Sequence, residues 1–376
     1  MELCKDNLTQ AFIHTDRLTH NLSVLQRLVG NCPLWPAIKA NAYGHGIDIV
    51  ARHLIGLGYN TLCVAHVSEA ISLMKAGIEA TFLLMSATLP EHSEAIVSYG
   101  CEPVLCTEEM AKALSKTGQR LGRQVLVHIM VDTGMGRIGI YPEDALEFIE
   151  HCQALPALRV RGLMSHFPCA DEADKSLSLG GLGQFRRVIE AARSHNIEVC
   201  HMANSAAILD IPNACLDAVR PGIAQYGLAP SSVISNPQVR ALEPVLEWKT
   251  RITFLKEAQA GTGLSYGHAF HTERPSLIAT LPVGYGDGLN RNLSNKLEVL
   301  AGGLRCPQVG RITMDQSLID VTALSGQVAL GDEVVIIGCQ GEEEVTADEL
   351  AGLLGTINYE VVTAISQRVP RIVVSA

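Results

Sequence analysis

The sequence predicts an α/β protein, with an N-terminal (β/α)8 barrel over residues 1–232 and a mainly β domain over residues 233–376. Three observations predict it. Eight short apolar runs recur through the first part, most of them followed by a stretch of helical period. Repeated β-α units at that spacing build a parallel sheet, and eight of them close into a barrel. Near Ser231 the polar, turn-rich S-S-V-I-S-N-P-Q-V-R ends the pattern, and alternating apolar runs with glycine turns replace it.

In chain order, the strands are expected at Leu34 to Ile38, Thr61 to Ala65, Thr81 to Met85, Glu102 to Cys106, Val125 to Val131, Leu158 to Ser165, Glu198 to Met202 and Leu216 to Val219. These are the short apolar runs, and helix-like stretches lie between most of them. Helices are expected over Ile47 to Leu57, Val67 to Ala76 and Thr107 to Lys116, with Gly58, Gly77 and Gly118 as stops. An open doubly wound sheet is the alternative, but its first turn is normally a glycine-rich phosphate loop, and here that turn holds Lys39. Beyond the boundary, W-K-T-R-I-T-F-L, L-I-A-T-L-P-V and D-E-V-V-I-I-G read as strands. Helices are expected only near Ala347 to Leu354 and Tyr359 to Gln367.

Composition narrows the function. With 47% hydrophobic and 18% charged residues the chain is globular, not disordered. A formal charge of −10 argues against nucleic acid or an anionic membrane as partner. No apolar run is long enough to span a bilayer, and M-E-L-C-K-D-N-L-T-Q lacks the apolar core of a signal peptide. The 11 cysteines include no C-x-x-C pair, so neither a disulfide framework nor structural zinc is expected, and the reducing cytoplasm fits. His268 and His271 have no cysteine beside them and are read as polar residues, not metal ligands.

In a parallel barrel, reactive groups project from the carboxyl ends of the strands. Lys39 follows the first strand, Asp132 and Arg137 the fifth, His166 the sixth, Asn204 and Ser205 the seventh, and Arg220 the eighth. A lysine at a strand tail ordinarily snorkels to water; the other reading is an amine that forms a Schiff base. Ser205, with Gly222 and Ile223, lies on the turns where barrels hold phosphate, although helix capping also accounts for Asn204 or Ser205. A Schiff-base lysine beside a phosphate site suggests pyridoxal phosphate. Arg220 opposite the pyridine nitrogen can only donate, so the ring stays a weaker electron sink. That favours rapid return of a proton over transamination, the setting a racemase needs.

P-A-I-K-A-N-A-Y-G-H-G, V-D-T-G-M-G-R-I-G, H-M-A-N-S-A, V-R-P-G-I-A-Q-Y-G-L-A-P, G-L-S-Y-G-H, G-R-I-T-M-D-Q and N-Y-E-V-V-T-A-I-S-Q-R-V-P-R together resemble the alanine racemase family. The resemblance runs in order from about the tenth residue to the end. It implies a cytoplasmic homodimer with shared active sites, in which the β domain contributes Tyr266 and Met314 to the partner subunit. It implies Lys39 as the pyridoxal-phosphate lysine and base on the D face, and Tyr266 as base on the L face. Tyr43, Ser205, Gly222, Ile223 and Tyr359 match phosphate contacts, Arg220 the pyridine-nitrogen partner, and His166 a residue under the ring. Arg137 and the backbone of Met314 match contacts to the substrate carboxylate. Tyr285 and Asp315 match gate or supporting residues. The implied reaction interconverts L- and D-alanine, supplying D-alanine for peptidoglycan.

The sequence departs from the family in places. Met130 stands where a lysine, often carbamylated, is usual, so an anion such as chloride is the expected replacement beside Arg137. Thr313 replaces a common cysteine, and G-Y-G-D-G-L replaces G-Y-A-D-G plus an aromatic. Both leave the choice between alanine and a broader range, serine included, open. A decarboxylase of the same fold, a non-catalytic pyridoxal-phosphate carrier and a cofactor-free aldolase are the other readings. Arg220, the long β domain and the phosphate turns respectively argue against them.

Overall fold

The computed structural model describes residues 7–375, so the first six, part of the stretch read for a leader, lie outside the described residues. The chain divides into two compact units. One holds Arg17–Ala42 and Ile47–Glu243; the other holds the chain up to Asp16, Tyr43–Gly46 and Pro244 onward.

The first unit is the barrel. Thr61–Val64, Thr81–Leu84, Glu102–Leu105, Val125–Met130, Leu158–Met164 and Val199–His201 form one six-stranded parallel sheet in sequence order. The expected first and eighth strands are not ladders but single bridges, and these close the ring: Ala37 to Cys63, Leu34 to Val219, and His201 to Ala218. The reason is chemical. Pro33 and Pro36 lack an N–H and leave gaps in the pairing on either side; the donors that remain are Trp35 and Ala37, to Val219 O and Pro221 O at 2.8 Å each, and Ile38, to Cys63 O at 2.8 Å. On the eighth segment, the Asp217 carboxylate accepts the Cys200 N–H at 2.8 Å and takes the place of a ladder carbonyl.

Helices follow most of the strands, each burying one face. Glu108–Leu121 is capped by Thr107, whose hydroxyl accepts the Met110 N–H at 3.3 Å, and ends on Gly122 in the left-handed region. It therefore runs past Gly118, which is not a stop. A Cβ at Gly118 would lie 2.8 Å from Arg123 O and 3.1 Å from both Ala157 Cβ and Val125 Cγ2. The glycine is there for close packing. Helix propensity alone would make Gly118→Ala stabilising by about 1 kcal/mol. The packing reverses the sign, and we expect a loss of roughly 1–3 kcal/mol in chemical denaturation.

The second unit is mainly β. Its larger sheet runs Leu304–Pro307, Glu298–Ala301, Glu333–Gln340, Leu246–Arg251, Gln10–His14 and Arg371–Val374, with Glu343–Val345 beside Glu333–Gln340. Gln10–His14 is thus built into this sheet, antiparallel to Leu246–Arg251 and parallel to Arg371–Val374. A second sheet orders Ser317–Asp320, Ser276–Leu281 and Phe254–Ala258. The helices are Ala347–Leu354, as expected, and Asn358–Thr363, which starts one residue before and ends four before the expected Tyr359 to Gln367. No helix among the described residues is long and apolar enough to cross a membrane.

Candidate active site

Lys39 ends the closing segment of the barrel, and the chain turns immediately after it. Ala40, Asn41 and Ala42 all lie in the left-handed helical region, at φ 53–55° and ψ 43–53°, and Tyr43 follows at φ 53°. Such residues cost on the order of 1–2 kcal/mol each. The turn is held from outside: Glu69 Oε1 accepts the Ala40 N–H at 2.7 Å, and Asn41 Oδ1 accepts the Ile47 N–H at 2.9 Å. The other Glu69 oxygen accepts the Ala65 and His66 N–H groups at 2.7 and 3.1 Å. One carboxylate thus ties the lysine turn to the start of the helix Val67–Lys75. Lys39 itself has no carboxylate partner among the described ion pairs. Burial lowers its pKa, and the Arg137 and Arg220 cations lower it further, favouring the free amine.

Arg220 is buried, and its surroundings are neutral acceptors. Its Nη2 donates to Ser165 O at 2.8 Å, Met202 O at 3.1 Å and His166 Nδ1 at 3.4 Å, while Nη1 donates to His201 Nδ1. Burial lowers its pKa to about 10, so it remains a cation at neutral pH. Since a guanidinium cannot accept, His166 Nδ1 carries the lone pair and its proton sits on Nε2. Burial, with Arg220, Arg137 and Lys39 close by, pushes His166 down to about 3, so it is neutral.

The turns expected to hold phosphate are preorganised. Ser205 is buried, and its Oγ accepts the N–H groups of Gly222 at 2.8 Å and Ala224 at 3.2 Å. Capping falls to Asn204, whose Oδ1 accepts the Ala207 N–H at 3.0 Å. The Ile223 N–H has no partner among the described residues. Lysine, buried guanidinium and this hydroxyl-and-amide turn all fit pyridoxal phosphate: an aldehyde for the amine, a ring nitrogen for the donor, an ester phosphate for the turn.

Arg137 is exposed on the turn after Val125–Met130 and makes no ion pair among the described residues. Met130 is buried with Val104 and Met164, flanked by Met85, Cys106 and Ile138, and brings no charge to it. In the β unit, the rings of Tyr43 and Tyr359 pack at a tilt of 51° with centroids 6.1 Å apart. Tyr266 sits on a short 3-10 turn between the strands Gly263–Leu264 and Phe270–His271 and is 70% exposed. The backbone N–H groups of Tyr285 and Gly286 donate to Thr313 O and Met314 O at 3.0 and 2.9 Å. That pairing strings Tyr285, Thr313 and Met314 together, and Arg368 then clamps Asp315 at 2.8 Å and Asp287 at 3.4 Å.

Sequence reasoning missed Glu69, Glu102, His128 and His201. The histidines had a signal, since each lies on an expected strand or at its end. Glu102 had one too, a carboxylate opening an otherwise apolar strand.

Comparison with known proteins agrees in both halves. Residues 13–230 match the model of the alanine racemase N-terminal domain, and residues 245–373 that of the C-terminal domain. The chain is 43% identical to an alanine racemase of Halothermothrix orenii and covers 96% of each sequence. It is 40% identical to one of Clostridium novyi, covering 96% of this chain and 94% of that one. Among solved structures, alanine racemase of Clostridium difficile superposes with a TM-score of 0.93 at 35% identity, over 98% of this chain and 96% of the other. That of Bacillus anthracis with bound L-Ala-P gives 0.91 at 34%, over 98% and 95%. With both domain models matched in order and the barrel residues gathered as the motifs require, the chain belongs to the alanine racemase family.

Proposed function

We propose that the chain interconverts L-alanine and D-alanine through two bases, acts in the cytoplasm as a homodimer with shared active sites, and supplies D-alanine for peptidoglycan. The observation that carries the reading is Arg220, a buried guanidinium among neutral acceptors, with no carboxylate on it among the described residues. When bound, pyridoxal phosphate supplies an aldehyde and a ring that spreads the charge left at the substrate's α-carbon. Lys39 would hold the aldehyde and act as base on the D face, a role that burial of its amine favours. Arg220 would donate to the ring nitrogen and give up no proton, which would disfavour transamination. Ser205 and the Gly222–Ile223 turn hold the phosphate; the family resemblance adds Tyr43 and Tyr359.

Tyr266 of the partner subunit is read as the L-face base, and neutral His166, with its proton on Nε2, is set up to donate to a phenolate. The exposure of Tyr266 (70%), Met314 (53%) and Tyr285 (44%) supports a second chain covering them. The Met314 N–H, without a partner among the described residues, and Arg137 suit a carboxylate. Alanine is favoured over serine because the Thr313 hydroxyl is already used, donating to Gln316 O at 2.9 Å and accepting the Gln316 N–H at 3.1 Å. Every described cysteine is a free thiol, which supports the cytoplasm.

The test is chiral analysis of purified protein with added pyridoxal phosphate and alanine, serine or lysine. Loss of optical purity with alanine is expected in both directions, with serine slower. Carbon dioxide release, or no turnover by protein with bound chromophore, overturns the reading.

A further inference from the structure

Glu102, His128 and His201 form a buried chain inside the barrel that the reading above leaves unused. Glu102 Oε2 lies 3.0 Å from His128 Nε2, and His128 Nδ1 lies 2.9 Å from His201 Nε2. His201 Nδ1 meets Arg220 Nη1. Glu102 Oε1 takes Arg161 Nη1, and Arg161 Nε also faces Glu198 at 3.5 Å. Trp35 lies edge-on against both imidazoles, with ring centroids at 6.0 and 4.9 Å. Space is reserved for the chain. A Cβ on Gly162, in mid-strand, would lie 2.3 Å from His128 Nδ1.

The proton positions follow from either end. Arg220 has only donors, so His201 Nδ1 is a lone pair and Nε2 carries the hydrogen. That hydrogen goes to His128 Nδ1, which leaves the His128 proton on Nε2, aimed at Glu102. Starting from Glu102, the same order results, because both of its oxygens accept. We propose that Glu102 is a positioning residue for Arg220, its carboxylate fixing the tautomers of His128 and His201 so that the guanidinium always meets a lone pair. Burial and the neighbouring Arg220 cation hold His201 neutral, which keeps the order intact. The relay is contained in the barrel; its effect on turnover rests on the reading of Arg220 given above.

Glu102→Gln tests it. An amide has one acceptor oxygen for two donors, Arg161 and His128. If its nitrogen faces His128, both tautomers must reverse, and an N–H of His201 is set against Arg220. In 15N spectra of the full-length holoenzyme labelled on its histidines, the wild type is expected to show His128 and His201 protonated on Nε2 alone. Glu102→Gln is expected to show His128 protonated on Nδ1 in part, with kcat lowered roughly 10- to 100-fold and KM within about twofold. Arg161→Gln leaves the tautomers unchanged and kcat within about threefold. A wild-type His201 protonated on Nδ1 overturns the relay whether or not the variant folds. So do wild-type tautomers and kcat in Glu102→Gln, or equal losses in Arg161→Gln. The wild-type tautomers in a protein that does not racemise alanine would instead overturn the functional reading alone.

Discussion

Lys39→Ala is expected to lower alanine racemisation by on the order of 10⁴-fold or more, in both directions, and to abolish covalent retention of the cofactor. The loss has two parts, since one amine both holds the aldehyde and moves the D-face proton. Borohydride reduction of the wild type, followed by peptide mapping, should place the label on Lys39 and nowhere else. Added methylamine should restore part of the rate, because it replaces the amine's chemistry without its tether. A second readout uses the chain without cofactor. The folded pKa of Lys39 lies below its ordinary 10.5, so below that pH the unfolded chain binds the more protons. Stability therefore rises with pH in the window between the lowered value and 10.5. Below the window the full cost of burying the ammonium remains. Lys39→Ala should flatten this slope in denaturant titrations at several pH values. A variant that keeps racemising, or a label on another residue, removes the basis of the mechanism.

The second large effect is directional. Tyr266→Phe is expected to slow abstraction of the α-hydrogen from L-alanine by about 10²–10⁴-fold, the usual worth of a positioned base. Exchange of D-alanine's α-hydrogen with solvent deuterium, which Lys39 carries, should fall far less. Binding should change little, because the ring that fills the space is kept. Mass spectrometry of each enantiomer in D2O separates the two rates. Equal losses in the two exchange rates would refute the assignment of faces.

Much of this was legible before any coordinates. Lys39, Arg137, His166, Ser205 and Arg220 each follow a strand, so the rule that a barrel gathers its strand tails was enough to place them together. The four acceptors of Arg220, two of them backbone carbonyls one residue past the strands Leu158–Met164 and Val199–His201, cannot be read from local sequence. The seam at Leu34 to Ile38 reads as a strand because its apolar pattern is right, yet Pro33 and Pro36 remove two of the donors that a full ladder needs. Gly118 reads as a stop because a glycine that ends a helix and one that admits a neighbour look alike in sequence; only the nearness of Arg123 and Ala157 separates them. Glu69 and Glu102 escaped notice because a carboxylate that serves backbone or imidazole protons has no spacing rule. Their partners, Ala40 and His128, come from elsewhere in the chain.

The four residues from Ala40 to Tyr43 trace a helix of the opposite hand in a chain of L-residues. Their tolerance to mutation should follow chirality more than contact. Glycine, being achiral, relieves the strain, whereas valine or isoleucine sharpens it even where room exists. An enzyme proposed to handle both enantiomers of alanine thus keeps its reactive amine next to backbone that the mirror-image residue would adopt unforced.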